Sequence, residues 1–135
     1  MRPHEKLEVY RIAHALALRV HAMTMKLPKY ELYEEGGQVR RSSKSVSSQI
    51  VEGHALRRYK AEYIRYLSRA YGSSEETIEH LTYLEKTSTD SAITVEAGAL
   101  AEEYGTLCRK LFNYTRSVDA QHDPSYVRDE ERDEG

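Results

Sequence analysis

Histidines and carboxylates at helical spacing are the first residues in this sequence that could do chemistry. A di-metal centre in a four-helix bundle uses inward-facing Glu-x-x-His pairs, and no histidine in a helical segment has a glutamate three residues before it. Glu76 and His80 form one i,i+4 pair, which supplies too few ligands for two metals. His14 and His21 lie two helical turns apart, about 10 Å, too far to share one ion unaided. We therefore expect no metal site and no other cofactor.

Catalytic motifs of other kinds are also missing from the sequence. It contains no nucleophile elbow, no phosphate-binding loop, no Cys-x-x-Cys pair and no Rossmann glycine pattern. Its one cysteine, Cys108, lies beside the apolar stripe of the last predicted helix, where a thiol packs as a small apolar group. The sequence therefore predicts a protein that is not an enzyme. A metal-dependent enzyme centred on Glu76 and His80 is the remaining catalytic alternative.

A basic segment with interleaved tyrosines is the other chemically distinctive feature. Residues 38–69 carry eight lysines and arginines against Glu52 and Glu62, a local charge of +6. Basic side chains beside aromatic rings can hold a nucleic-acid backbone and stack on its bases. The sequence therefore predicts a nucleic-acid interface formed by Arg40, Arg41, Lys44, Arg57, Arg58 and Lys60.

The same composition is also typical of a protein interface, because tyrosine and arginine are enriched there. A third interpretation places the tyrosines in the core with solvated arginines around them. For an interface between copies of the chain, the candidate residues are Tyr10, Tyr63, Tyr66 and Arg65. The self-association and nucleic-acid interpretations both stay open at this point.

The composition limits which elements can position these residues. The chain has 135 residues, enough for one domain with a core, and only 7 glycines and 3 prolines. An all-β domain needs a turn roughly every 8–12 residues, so that class is excluded. One cysteine excludes a disulfide scaffold, and the sequence has neither an apolar run of about 18 residues nor the apolar core of a signal peptide. An all-α protein of the cytoplasm remains.

Apolar residues recur at steps of three and four in four segments, which is the period of one helix face. The segments cover about residues 5–27, 30–55, 59–86 and 90–118. Pro28 is expected to end the first helix, Gly53 to cap the second, and Asp90 or Ser91 to cap the start of the last. Short connections between helices of this length predict an up-down-up-down antiparallel four-helix bundle.

Two of the predicted helices have unusual faces. The first carries a second apolar stripe and so has more apolar surface than one neighbour would cover; the stripe is Leu7, Tyr10, Leu18 and Met25. The second has a stripe rich in serine, so we expect close tertiary packing rather than helix propensity to hold it. Gly36 and Gly37 are expected to delay or loosen its start.

Residues 119–135 differ in composition from the rest of the chain. They hold seven acids against Arg128 and Arg132, a charge of −5, which leaves +3 on residues 1–118 because the whole chain carries −2. Few of them are apolar, so they cannot bury enough surface to fold. We predict a bundle over residues 1–118 and an acidic, disordered tail over residues 119–135.

Three stretches of the sequence resemble the signature of one protein family. Residues 6–10 with His14 resemble a K-L-x-V-W…A-H pattern, with Tyr10 in place of tryptophan. Residues 38–42 with 45–53 resemble the pattern Q-I-R-R-A…S-I-P-x-N-I-A-E-G. Residues 63–67 with Ala70 and 72–77 resemble the pattern F-I-x-F-L…A-x-G-S-x-x-E-T. Over about residues 6–118 the chain resembles the four-helix-bundle proteins encoded in intervening sequences of bacterial large-subunit ribosomal RNA genes. Ser47 and Gln49 stand where that family has proline and asparagine.

The resemblance implies a four-helix bundle that assembles as a ring-like homo-pentamer without enzymatic activity or cofactor. A related branch, the accessory proteins of diversity-generating retroelements, forms pentamers that bind a reverse transcriptase and nucleic acid. That branch is markedly basic, whereas this chain carries −2. The expected function is a non-enzymatic, homo-oligomeric scaffold or partner-binding protein, and the alternative is an RNA- or nucleoprotein-binding bundle. No membrane contact is expected.

Overall fold

The computed structural model describes residues 1–121, and these residues form helices without any strand. A 3-10 turn at Pro3–Lys6 precedes the helices. They are α1 Glu8–Thr24, α2 Lys29–Tyr33, α3 Glu35–Ala55, α4 Lys60–Thr87 and α5 Ser91–Gln121. The all-α prediction with four long helices is confirmed. Within this part of the chain, no helix has the length and apolar character needed to cross a membrane.

The four long helices run up, down, up and down around one core. α1 and α5 are antiparallel, because Glu8 near the start of α1 pairs with Lys110 late in α5, whereas Arg19 pairs with Glu96 early in α5. Short connections on either side of α4 make it antiparallel to α3 and α5. Contacts of α1 with α3, α3 with α4, α4 with α5 and α5 with α1 close a square bundle.

A set of hydroxyl groups lies buried among the apolar stripes of this core. Ser42, Ser43, Ser74 and Thr77 are all buried, and Thr77 Oγ1 lies 2.9 Å from Ser42 Oγ, a hydrogen bond that links α4 to α3. Ser74 Oγ donates to the Ala70 carbonyl one turn earlier at 3.0 Å. Because buried polar groups are tolerated when they are hydrogen-bonded, these small side chains allow α3 to pack closely, as the sequence predicts.

Gly53 lies at a close approach of α3 to α4. A Cβ atom at this position would lie 2.9 Å from Tyr66 Cβ and 3.4 Å from Tyr63 Cδ1. α3 continues beyond Gly53 to Ala55, so the predicted capping role of Gly53 is wrong. Glycine is required here because the neighbouring helix occupies the space of a side chain.

The predicted second helix is divided in two at Glu34. Its backbone angles, φ −92° and ψ −100°, separate α2 from α3. Gly36 lies two residues after the break, and a Cβ there would lie 2.9 Å from the Glu31 carbonyl oxygen. Gly36 therefore marks a disturbed helix start, because the chain of α2 leaves no room for a side chain there, whereas a Cβ at Gly37 would meet no atom closer than 3.9 Å.

The other boundaries differ from the predicted ones by a few residues. α1 ends at Thr24, and the chain continues to Leu27 in turns, with the Leu27 N–H donating to the Thr24 carbonyl at 3.1 Å. Asp90 Oδ1 accepts a hydrogen bond from the Ala92 N–H at 2.9 Å, which confirms the predicted cap of α5. α5 extends through Gln121, so the first three residues of the predicted tail are helical. The rest of that tail, residues 122–135, lies outside the described residues.

Candidate interaction surfaces

The histidine and carboxylate pairs singled out in the sequence make contacts within the bundle. His80 Nδ1 lies 2.8 Å from Glu35 Oε2, so His80 ties α4 to the first turn of α3, while Glu76 is exposed. His14 Nδ1 lies 3.4 Å from the hydroxyl of Tyr10, one turn earlier on α1. Over residues 1–121, no group of three or more histidine, cysteine, aspartate or glutamate side chains is placed to hold a metal ion.

Cys108 is buried where α5 faces α4. Its burial, together with the nearby carboxylate of Glu75, raises the pKa of the thiol to about 12. Such a thiol is protonated at neutral pH, and the thiolate is the form that acts as a nucleophile. The chemistry of Cys108 therefore agrees with the predicted packing role.

Two of the six basic residues predicted to contact nucleic acid are bonded inside the chain. Arg57 has 8% of its surface exposed, and its Nη1 donates a hydrogen bond of 3.0 Å to the His54 carbonyl near the end of α3. Arg40 Nη2 donates to the Leu32 carbonyl at 2.8 Å. The guanidinium groups of Arg40 and Arg57 therefore fix the chain at the two ends of α3.

The other four basic residues lie on different parts of the surface. Arg41 and Lys44 are exposed one turn apart on α3, and Arg58 is exposed in the connection that follows α3. Lys60 Nζ forms an ion pair of 3.3 Å with Asp119 on α5. The six residues thus do not share one exposed face, and Arg41 with Lys44 is the pair that one helix presents to solvent.

The tyrosines predicted for self-association occupy different environments. Tyr63 is 4% exposed, and its hydroxyl oxygen lies 2.6 Å from that of Tyr114 on α5. Tyr10 is half-buried, with ring centroids 4.7 Å from His4 and 5.6 Å from His14. Tyr63 therefore has almost no surface to offer a second chain, whereas Tyr10 has some.

Tyr66 and Arg65 lie at the surface of α4. The guanidinium carbon of Arg69 lies 5.3 Å from the centre of the Tyr66 ring, within the range of a cation–π contact. Arg65 is exposed and pairs with Glu62 at 3.6 Å. Tyr66 and Arg65 therefore stay available as predicted interface residues, with partners on their own helix.

A shallow groove between α4 and α5 was missed by the sequence interpretation. Tyr71 and Phe112 lie on its walls at one end, and Val95, 71% exposed, lies at the other. The signal that could have found it is the pair Val95 and Phe112, two large apolar residues that lie off the core stripe of α5. We call it the α4–α5 groove, and it comprises two depressions. The first is lined by Glu85, Thr94, Val95, Gly98, Ala99, Ala101 and Glu102. The second is lined by Tyr71, Glu75, Gly105, Cys108, Arg109, Phe112 and Asn113.

The outer face of α1 is a second surface with large apolar side chains. Leu18 is 60% and Met25 53% exposed, so the predicted excess of apolar surface on α1 is confirmed at these two positions. Leu7 and Tyr10, the other members of that predicted stripe, pack against the core. We call the exposed face the α1 ridge, and it consists of Arg11, His14, Leu18 and His21 together with Met25, the residue that follows the helix.

A comparison with known protein families matches most of the chain to one family model. The family is described as 23S rRNA-intervening sequence protein, and its model matches residues 5–113. The match runs from before α1 to late in α5 and includes the three stretches that carry the resemblance noted in the sequence. No curated protein matches the chain.

Proposed function

The chain belongs to the 23S rRNA-intervening sequence protein family, and from this premise we propose that it is a non-enzymatic scaffold that assembles as a homo-pentamer and binds a macromolecular partner. Family membership supports a small helical protein without catalysis. The number of subunits follows from what the resemblance implies. A cytoplasmic location belongs to the same proposal, supported by Cys108, a buried free thiol and the only cysteine of the sequence.

The observation that carries the proposal is a set of large apolar side chains on the outside of a bundle whose inner faces are buried. Leu18, Met25, Val95 and Phe112 are each more than half exposed, although residues such as Leu100 on the inner faces are fully buried. Grouped apolar side chains at a surface typically mark an interaction site. Their position on the outer faces of α1 and α5 supports contact with another chain.

Light scattering coupled to size exclusion tests this proposal. The expected mass at micromolar concentration is five times the 15.6 kDa subunit. A mass of one subunit contradicts self-assembly. A different multiple of the subunit mass contradicts the pentamer and leaves self-assembly in place.

RNA binding is the second candidate function, and the exposed pair Arg41 and Lys44 favours it. Both side chains lie one turn apart on the outside of α3, where they can neutralise neighbouring phosphates. Arg40 and Arg57 are not part of this candidate site, because their guanidinium groups donate hydrogen bonds to carbonyls of the same chain. The RNA candidate therefore rests on the middle of α3 rather than on the whole basic segment.

Fluorescence anisotropy with single-stranded RNA tests the second candidate at several salt concentrations. Replacing Arg41 and Lys44 by glutamate is expected to weaken binding and to reduce the salt dependence, since each lost phosphate contact lowers the slope by about one. Lys26→Glu with Lys29→Glu is the matched control, because these lysines are also exposed but lie near α2. Equal affinity of both double variants and the wild type contradicts RNA binding by α3.

A further inference from the structure

The lysines and arginines of the bundle are concentrated at the end where α5 stops. Lys60 at the start of α4 pairs with Asp119 near the end of α5, and Lys110 on α5 pairs with Glu8 at the start of α1. We call the half of the bundle around this end the basic end, and it consists of residues 1–16, 46–72 and 105–121. It holds eleven basic and five acidic residues, a charge of +6.

The other half of the bundle has the opposite sign. Residues 17–45 and 73–104 hold seven basic and eleven acidic residues, a charge of −4. The folded bundle therefore separates charge along its length. An anionic segment is attracted to one end of such a bundle and repelled from the other.

Three exposed arginines of the basic end contact neutral groups. The guanidinium carbons of Arg69 and Arg116 lie 5.3 Å and 5.8 Å from the centres of aromatic rings on their own helices. Arg109 Nη2 donates a hydrogen bond of 3.0 Å to the hydroxyl of Thr106. Because a ring or a hydroxyl does not neutralise a cation, the positive charge of these side chains stays available to a carboxylate.

An acidic segment, residues 122–135, follows directly from the basic end. α5 ends at Gln121, and the segment after it carries six acids and two arginines, a charge of −4. A segment of 14 residues spans at most about 46–50 Å. The part of α5 within the basic end, 17 residues long, measures only about 26 Å. The segment is therefore long enough to reach every part of the basic end.

From this complementarity of charge, the length of the segment and its point of attachment, we propose that residues 122–135 dock on the basic end of their own bundle. The carboxylates of the segment pair with exposed cations such as Arg69 and Arg116. Blocks of acidic residues at a chain end often act as interaction segments. Because the segment is tethered, its effective concentration is about millimolar, so ion pairs that are individually weak are populated.

Docking makes the segment a competitor for its own bundle. The segment occupies cations that another polyanion would otherwise bind, so such a polyanion must displace it first. The surface is distinct from the pair Arg41 and Lys44, which lies in the other half of the bundle. The docking also does not depend on the number of subunits proposed above.

Three substitutions remove most of the charge of the segment without changing the bundle. The variant Glu130→Gln, Glu131→Gln and Glu134→Gln lowers the charge of residues 122–135 from −4 to −1. The matched control replaces three exposed glutamates in the other half of the bundle and consists of Glu34→Gln, Glu79→Gln and Glu102→Gln. Both variants have the same net charge, so they differ only in the position of the lost carboxylates.

Nuclear magnetic resonance of the full chain tests the proposal, with the Nε–H signals of Arg69 and Arg116 as the readout. At about 0.1 M salt, where the Debye length is about 10 Å, we expect these signals to shift in the segment variant and to keep their wild-type positions in the control. At about 1 M salt, where the Debye length is about 3 Å, we expect the signals of all three proteins to coincide. Unshifted signals at low salt, or equal shifts in both variants, overturn the docking.

A mixed sample separates docking within one chain from docking between copies. The isotope-labelled segment variant is unfolded and refolded together with an excess of unlabelled wild type. We expect its Arg69 and Arg116 signals to stay shifted, because the segment of the labelled chain has lost its charge. Signals that return to their wild-type positions place the segment of another copy on the basic end and overturn docking on its own bundle. Either failure leaves the proposed self-assembly in place, because the mass of the assembly is not the readout.

Discussion

The hydroxyl oxygens of Tyr63 on α4 and Tyr114 on α5 lie 2.6 Å apart, and the two rings meet edge to face at a centroid distance of 6.2 Å. One hydroxyl donates a hydrogen bond to the other. Because Tyr63 is 4% exposed, this hydrogen bond is largely shielded from water. The contact joins helices that are adjacent in the chain at residues separated by 51 positions. Tyr63 therefore stabilises the single bundle.

Replacing Tyr63 by phenylalanine is expected to lower the free energy of unfolding by about 1 kcal/mol, because the hydrogen bond to Tyr114 is lost while the ring contact stays. Urea unfolding measures the change. Tyr30→Phe is the control, since Tyr30 is 69% exposed and its hydroxyl is solvated. Equal stability of the two variants contradicts the structural role of the Tyr63 hydroxyl.

Adding a methyl group at Gly53 is expected to destabilise the chain, although alanine is the better helix former. The new Cβ would meet Tyr66 Cβ at 2.9 Å, and overpacking of this kind costs about 1–3 kcal/mol. Gly72→Ala is the matched control on α4, where a Cβ has open space, and it is expected to stabilise by about 0.5–1 kcal/mol. In urea unfolding, we expect the free energy of unfolding to fall for Gly53→Ala and to rise for Gly72→Ala. A rise for both variants contradicts the close approach of α3 to α4.

The sequence predicted the helices well because the buried apolar residues of each helix recur with the helical period. Leu100, Leu107 and Leu111 recur at steps of seven and four and are fully buried, so the period of the core stripe determines both the helix type and its inner face. The position of the α5 cap followed from Asp90 in the same way, since a cap is a local contact. Properties that depend on neighbouring residues alone were therefore predictable.

Properties that depend on contacts between distant residues were not predictable. The sequence does not distinguish a glycine that caps a helix from one that packs under a neighbouring side chain, as Gly53 does under Tyr66. It also does not show whether the side chain of Arg57 is exposed or bonded to the His54 carbonyl. The α4–α5 groove joins residues far apart in sequence, such as Tyr71 and Phe112. Only the packing of the helices decides between these alternatives.

Arg57 and Arg41 are expected to differ in their effect on stability, despite their common role in the predicted basic segment. Arg57→Ala removes a buried guanidinium group bonded to the His54 carbonyl, which is expected to cost about 1–3 kcal/mol. Arg41→Ala changes an exposed side chain and is expected to stay within about 0.5 kcal/mol of the wild type. Urea unfolding of both variants measures the difference, and two equal effects would contradict the inward placement of Arg57.

Cys108 is expected to react slowly with thiol reagents in the folded chain. Burial and the carboxylate of Glu75 raise its pKa from 9.0 to about 12, so at pH 8 the thiolate fraction is about a thousandfold lower than in the unfolded chain. Because Cys108 is the only cysteine, the rate of reaction with a chromogenic disulfide, measured with and without urea, reports on this thiol alone. The native rate is expected to be at least about a hundredfold lower, and native and unfolded rates within tenfold of each other at pH 8 contradict the raised pKa.

The same shift gives a pH dependence of stability with a defined sign. The folded chain holds the Cys108 proton more tightly than the unfolded chain, because the pKa is raised from 9.0 to about 12. The stabilisation from the protonated thiol is therefore fully present below about pH 9 and is lost as the pH rises towards about 12. Cys108→Ala should remove this part of the alkaline dependence, so the difference in unfolding free energy between wild type and variant should shrink from pH 8 to pH 11. A difference that stays constant over this range contradicts a Cys108 thiol that is harder to ionise in the folded chain.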